Sequence, residues 1–76
     1  MSVLGRYEAD RVDGRVWSFQ RVQGRERVFV AINYGDTAAS VALPSRAQPL
    51  HQRSGTAVQG RVTLPPLSLR VYRLDP

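Results

Sequence analysis

The sequence contains no cysteine, no lysine and one histidine, His51, among its 76 residues, and each shortage closes off a class of chemistry. Without cysteine there are no disulfide staples of the kind small exported domains use, and a lone core of this size supplies about 3–5 kcal/mol. Such a chain buries only about 60–65% of the surface its unfolded form exposes, so dependence on a covalent neighbour is expected. A zinc site needs three or four Cys, His or carboxylate ligands at suitable spacing. One histidine does not provide that set, so no metal and no cofactor are expected, and His51 reads as an ordinary surface or half-buried imidazole. No run approaches the ~20 apolar residues of a membrane span. The stretch from Met1 to Gly5 is too short and too uncharged for a signal peptide. No membrane partner is expected, and the missing cysteine fits a bacterial cytoplasmic location.

Catalytic constellations are also missing. Glycosidase chemistry needs two carboxylates facing each other across a cleft at roughly 5–9.5 Å. The six carboxylates, Glu8, Asp10, Asp13, Glu26, Asp36 and Asp75, mostly sit in predicted turns or near termini beside glycines or arginines. Turn formation and counter-charge explain them. Ser18, Ser40, Ser54 and Ser68 lack a glycine-flanked elbow, and the glycines form neither a dinucleotide fingerprint nor a phosphate loop. No catalytic residue is assigned, and the chain is not expected to be an enzyme by itself.

What the sequence has in excess is arginine. Eleven arginines against four aspartates and two glutamates give a net charge of +5. A nucleic-acid binder would use arginine's planar fork for phosphate and guanine, but would cluster it on one surface. Here the arginines are spread along the chain, on turns and alternate strand positions where solvated charge keeps sheet edges from pairing with neighbours. Nucleic acid is therefore not the expected partner.

Apolar residues recur with period two, and turn residues punctuate at short intervals. A first strand fits Val3 to Ala9, and Asp13-Gly14 supplies a tight turn. The second strand runs from Arg15 to about Val22, with Trp17 and Phe19 on one face and Val16, Ser18 and Gln20 on the other. Because a small sandwich needs large side chains to fill its interior, Trp17 and Phe19 are expected in the core. Gln23-Gly24-Arg25 turns the chain into a third strand, Glu26 to Tyr34, with Val28, Val30 and Ile32 on one face and Phe29 and Ala31 on the other. A strand apolar on both faces belongs at the centre, either covered on both sides or packing a neighbouring domain with one of them. A short strand follows at Ser40 to Leu43. Ala47 to Gln52, Thr56 to Gln59 and Arg61 to Leu64 are further short segments. Pro65-Pro66 ends one strand, because proline lacks a donor and fixes φ, and Ser68 to Leu74 closes the sheet. The fold class is all-β, an antiparallel Greek-key β-sandwich of about seven or eight short strands forming one domain over residues 1–76.

Three blocks of residues fall in a fixed order: Trp17-x-Phe19-x-Arg21-x-x-Gly24-x-Glu26-x-Val28-x-Val30-x-Ile32-Asn33-Tyr34, then Val41-x-Leu43-Pro44, then Gly60-x-Val62-x-Leu64-Pro65-Pro66-Leu67-Ser68-x-x-Val71-Tyr72-x-Leu74. Together they resemble the C-terminal β-domain of the α-amylase family of glycoside hydrolases, of α-glucosidase, trehalose synthase or α-amylase type. The resemblance covers the chain from about Val3 to Leu74. It implies a non-catalytic accessory domain that packs on and stabilises a (β/α)8 catalytic barrel acting on α-glucans or α-glucosides. That barrel, in the same or another chain, would be the partner. The family's carboxylates belong to the barrel, so none carries over. Asn33 carries over as a structural position, its side chain placed to bond the backbone of the Gly35-Asp36 turn. Trp17, Phe19, Val28, Val30, Ile32, Pro65 and Pro66 are the other structural positions. An independent carbohydrate-binding module is the alternative; it would need exposed coplanar rings, with Tyr34 and Tyr72 as the candidates.

Overall fold

The computed structural model describes residues 6–50 and 56–75; His51, Arg53, Ser54 and the segment before Arg6 lie outside them. Among the described residues seven antiparallel strands form: β1 (Arg6–Asp13), β2 (Val16–Gln23), β3 (Glu26–Asn33), β4 (Ala39–Ala42), β5 (Ala47–Pro49), β6 (Arg61–Leu64) and β7 (Ser68–Leu74). They make a five-stranded sheet in the order β1-β2-β3-β7-β5 and a two-stranded sheet, β4-β6. The strand most apolar on both faces, β3, is the central one.

Two hairpins of the same design open the larger sheet. Asp13 pairs with Val16 and Gln23 pairs with Glu26, so each loop is a Gly-Arg pair. Gly14 and Gly24 sit at φ of +61° and +60°, the left-handed conformation that tight hairpin loops demand at their first position. The first turn is thus Gly14-Arg15, one residue later than the Asp13-Gly14 pair read from sequence. The first strand also runs further than expected: pairing continues through Asp13, well beyond Ala9, while the expected start at Val3 lies outside the described residues. What carries the strand onward is a bulge between Glu8 and Arg11, with Ala9 held at φ +54°. Period-two reading stops at such an irregularity because the extra residue inverts the alternation. Of the segments expected at 47–52 and 56–59, the first is a three-residue strand, while in the second Val58 makes only a single bridge to Ala47.

After β3 the chain alternates between the sheets until β7 inserts between β3 and β5. Crossovers therefore tie the sandwich together. The core lies between the sheets: Val16, Phe29, Ala31, Ala47, Tyr72 and Leu74 from the larger sheet meet Leu43 and Leu64, with Val41 and Val62 packed against them. This corrects the expected position of Trp17 and Phe19. Trp17 is 39% exposed, and Phe19 shares its strand face, so both rings lie on the side away from the small sheet. The narrow sheet is the reason: two short strands cover one face of the larger sheet, and alternation places Val16 and Ser18 there, leaving the bulkier neighbours outside.

Candidate interaction face

Alternation along β2, β3 and β7 puts a second apolar surface on the uncovered side of the large sheet. Register aligns it in cross-strand rows. Val12, Trp17, Ile32 and Leu69 form one row across four strands; Phe19, Val30 and Val71 form the next. The third row is Tyr7, Arg21, Val28 and Arg73. Leu69 and Val12 are 51% and 64% exposed, so this surface is apolar without being interior. Among the described residues nothing covers it.

The bulge completes this face. Tyr7 and Val12 are an odd number of residues apart and would point to opposite sides of a regular strand. The extra residue restores them to one side, opposite Arg21 and Trp17. Tyr7 then meets Phe19 edge-on with ring centroids 5.4 Å apart, and Trp17 lies tilted on Phe19 at 5.0 Å. The Trp17 indole N–H donates to the Asp10 carboxylate, which the bulge presents. Tyr7, Asp10, Trp17 and Phe19 line an open recess of about 330 Å³. The aromatic cluster is thus a corner of the face, fixed on one side by a charged acceptor.

Next to Ile32, which pairs with Trp17, a buried asparagine at the end of β3 locks the crossover. Asn33 is 1% exposed; its Nδ2 donates to the carbonyls of Thr37, Leu64 and Pro65 at 2.9, 3.1 and 3.1 Å, and its Oδ1 accepts from the Gly35 N–H at 2.9 Å. The Pro65-Pro66 corner has no N–H groups of its own, so it presents carbonyls that need outside donors. Asn33 supplies them. Ser68 Oγ donates to the Pro65 carbonyl at 2.6 Å, and the Leu67 N–H to Gly35 O at 3.1 Å. A β-carbon on Gly35 would lie 3.0 Å from Arg15 Cβ and 3.2 Å from Asn33 Oδ1. Gly35→Ala is therefore expected to lower stability by ~1–2 kcal/mol through overpacking, read as a lower urea midpoint at unchanged slope. An unchanged midpoint would show that the corner yields freely.

The two tyrosines singled out as sugar candidates are not brought together. Tyr34 is 47% exposed and donates its hydroxyl to the Gly14 carbonyl at 3.3 Å. Tyr72 is 3% exposed on the core face, its ring centroid 6.4 Å from that of Phe29, and burial raises its phenol above the ordinary tyrosine value. The two form no shared platform. The rings that do cluster are Tyr7, Trp17 and the half-buried Phe19; the alternation of β2 put the last two on one face, but the bulge in β1 hid that Tyr7 joins them.

No group of three or more His, Cys, Asp or Glu comes together among the described residues. Three of the carboxylates have arginine counter-ions: Glu8 with Arg6 at 2.7 Å and Arg27 at 2.9 Å, Asp75 with Arg46 at 3.9 Å, and Asp13 with Arg11 at 4.0 Å. Hydrogen bonds from Arg6 and then Arg27 hold the Glu8 carboxyl below its ordinary value. A carboxyl lowered by folding adds stability above the unfolded glutamate range and loses it as pH falls through the folded value. The Glu8 carboxyl resonance is accordingly expected to titrate below the usual glutamate midpoint, and Glu8→Gln to flatten the acid limb of the stability curve. Titration at the ordinary value would mean the pair is dissolved by solvent.

No protein-family model matches the sequence, and no curated protein does. A solved structure does match: 93% of this chain superimposes on 14% of an isomaltulose synthase from Klebsiella sp. LX3, with a TM-score of 0.71 and 24% sequence identity. The chain has that segment's fold. The all-β architecture implied by the α-amylase-family resemblance is therefore present. The match spans a small part of the synthase, whose remaining length has no counterpart here.

Proposed function

We propose that this chain is the C-terminal accessory β-domain of an α-amylase-family glycoside hydrolase, non-catalytic in itself, which packs on and stabilises a (β/α)8 barrel acting on α-glucans or α-glucosides. The observation that carries the reading is the uncovered apolar face, two aligned rows of large side chains on the side of the sheet opposite the core. A soluble monomer seldom exposes contiguous apolar surface of this kind unless it meets a partner. Shared fold with a segment of the isomaltulose synthase supports this reading, since that segment belongs to a much longer enzyme chain. The same geometry supports the accessory role. Among the described residues there is a surface to bury and no cleft that brings opposed carboxylates together.

The test uses the purified 76-residue chain. Bound 1-anilinonaphthalene-8-sulfonate should fluoresce on the native domain, and the double change Val30→Thr with Leu69→Thr should remove most of that signal while the domain stays folded. Maltose, sucrose, trehalose and maltooligosaccharides should remain unconsumed. Release of glucose from any of them would overturn the non-catalytic reading, and dye binding that ignores the double change would overturn the face.

A further inference from the structure

We infer that the surface meeting this face is the apolar stripe of an amphipathic helix, edged with carboxylates where it meets Arg21 and Arg73. The inference rests on the accessory-domain reading and specifies the chemistry of its partner. Three observations carry it. The first is shape. With strands ~4.8 Å apart and a two-residue step of ~7 Å, the two apolar rows form a band about 14 Å across four strands and one step deep. A helix with side chains is ~10–12 Å wide and presents an apolar stripe along one side, so one helix of a few turns covers this band. The outer layer of a (β/α)8 barrel is a ring of such helices.

Charge is the second observation. The apolar rows end at a row in which Arg21 and Arg73 flank Val28, both at least partly exposed. Glu26, one register step further along β3, is the acidic group on this side of the strand ends; Arg25 stands beside it in the turn. At the opposite end lie Asp10, engaged by the Trp17 indole, and, in the adjoining turns and strand end, Asp13, Asp36 and Arg15. Cations therefore predominate at one end of the band, and a partner helix carrying carboxylates there is favoured while a basic one is repelled.

The third is strain at the rim. Leu67, between Pro66 and Ser68, stands at φ +52° and is 76% exposed. A left-handed leucine is disfavoured by contact of its β-carbon with the backbone, and here the chain holds a large apolar side chain in solvent in that conformation. An exposed apolar side chain at the rim of this face is one that a partner surface would cover. Leu67 lies two residues before Leu69, the end of the first apolar row.

Two synthetic 18-residue helical peptides with the same leucine and isoleucine stripe test the inference, one flanked by glutamates and one by lysines. Trp17 is the sole tryptophan, so its emission reports binding, and amide shifts locate it. The glutamate peptide should bind at least ten-fold more tightly at low ionic strength, with shifts at Phe19, Val30, Ile32 and Val71. Arg21→Glu with Arg73→Glu should reverse the preference. Equal binding of both peptides on this face would overturn the acidic edge and leave the docking face standing. Shifts elsewhere, or none with either peptide, would overturn both.

Discussion

Replacing Asn33 with alanine is expected to destabilise the domain by about 2–4 kcal/mol, most of what a core this small supplies. The side chain is buried and serves four backbone groups drawn from three parts of the chain: the turn after β3 through Thr37 and Gly35, the end of β6 through Leu64, and the diproline corner through Pro65. Alanine leaves these groups without their donor or acceptor in a place water reaches poorly. The penalty for an orphaned buried group exceeds the mean worth of a hydrogen bond, which is why the effect is large for so small a truncation. Asn33→Asp separates this account from simple packing. The carboxylate keeps the volume and can still accept from the Gly35 N–H, but it faces three carbonyl oxygens instead of donating to them. At neutral pH it should be at least as damaging as alanine, and partial recovery is expected as acid protonates it. Urea denaturation at two pH values reads both effects. A loss below ~1 kcal/mol for alanine, or no difference between the two substitutions across pH, would show that the crossover is held by packing instead.

Much of this fold was legible in the sequence because local rules and the final structure agree. Gly14 and Gly24 mark hairpin loops, Pro65-Pro66 marks the end of β6, and alternation from Ser68 to Leu74 gives β7 its full extent. Asn33 was readable as a turn-binding side chain, though its reach to Leu64 and Pro65, 31 and 32 residues away, was not. Two features were hidden for separate physical reasons. The bulge at Ala9 and Asp10 breaks the period on which strand reading depends. The choice of core face was ambiguous because β2 and β3 carry apolar residues on both sides, and ring size pointed to Trp17 and Phe19. Burial instead followed the companions of Asn33: the buried amide, Ala31 and Phe29 share one face of β3 and so fix the inside. A polar residue that must be buried can settle which face is inside when hydrophobicity cannot. The same logic removes Tyr72 from the surface, since it pairs with Phe29 in register.

Adjacent residues of β3 should respond very differently to substitution, and the contrast bears on function as well as fold. Phe29 is 5% exposed in the core between the sheets, and Phe29→Ala should destabilise by about 3–4 kcal/mol through lost burial and the cavity left behind. Val30 lies next to it but faces the uncovered side, opposite Phe19 and Val71. Val30→Thr retains the β-branch and its strand preference, so the isolated chain should lose no more than ~1 kcal/mol. Equilibrium unfolding of the two variants measures the gap. Comparable losses would mean that the outer face is covered after all and would remove the physical basis for a partner. If the gap holds, the apolar character of Val30, Ile32, Trp17 and Leu69 contributes little to this domain's own folding. Apolar side chains that do so little for the fold that carries them have their effect where a second surface excludes water from them. The same Val30→Thr change, made in a longer chain in which this domain is joined to a barrel, should then lower that assembly's thermal midpoint by more than it lowers the isolated domain's. An equal shift in both would detach the face from any role in assembly.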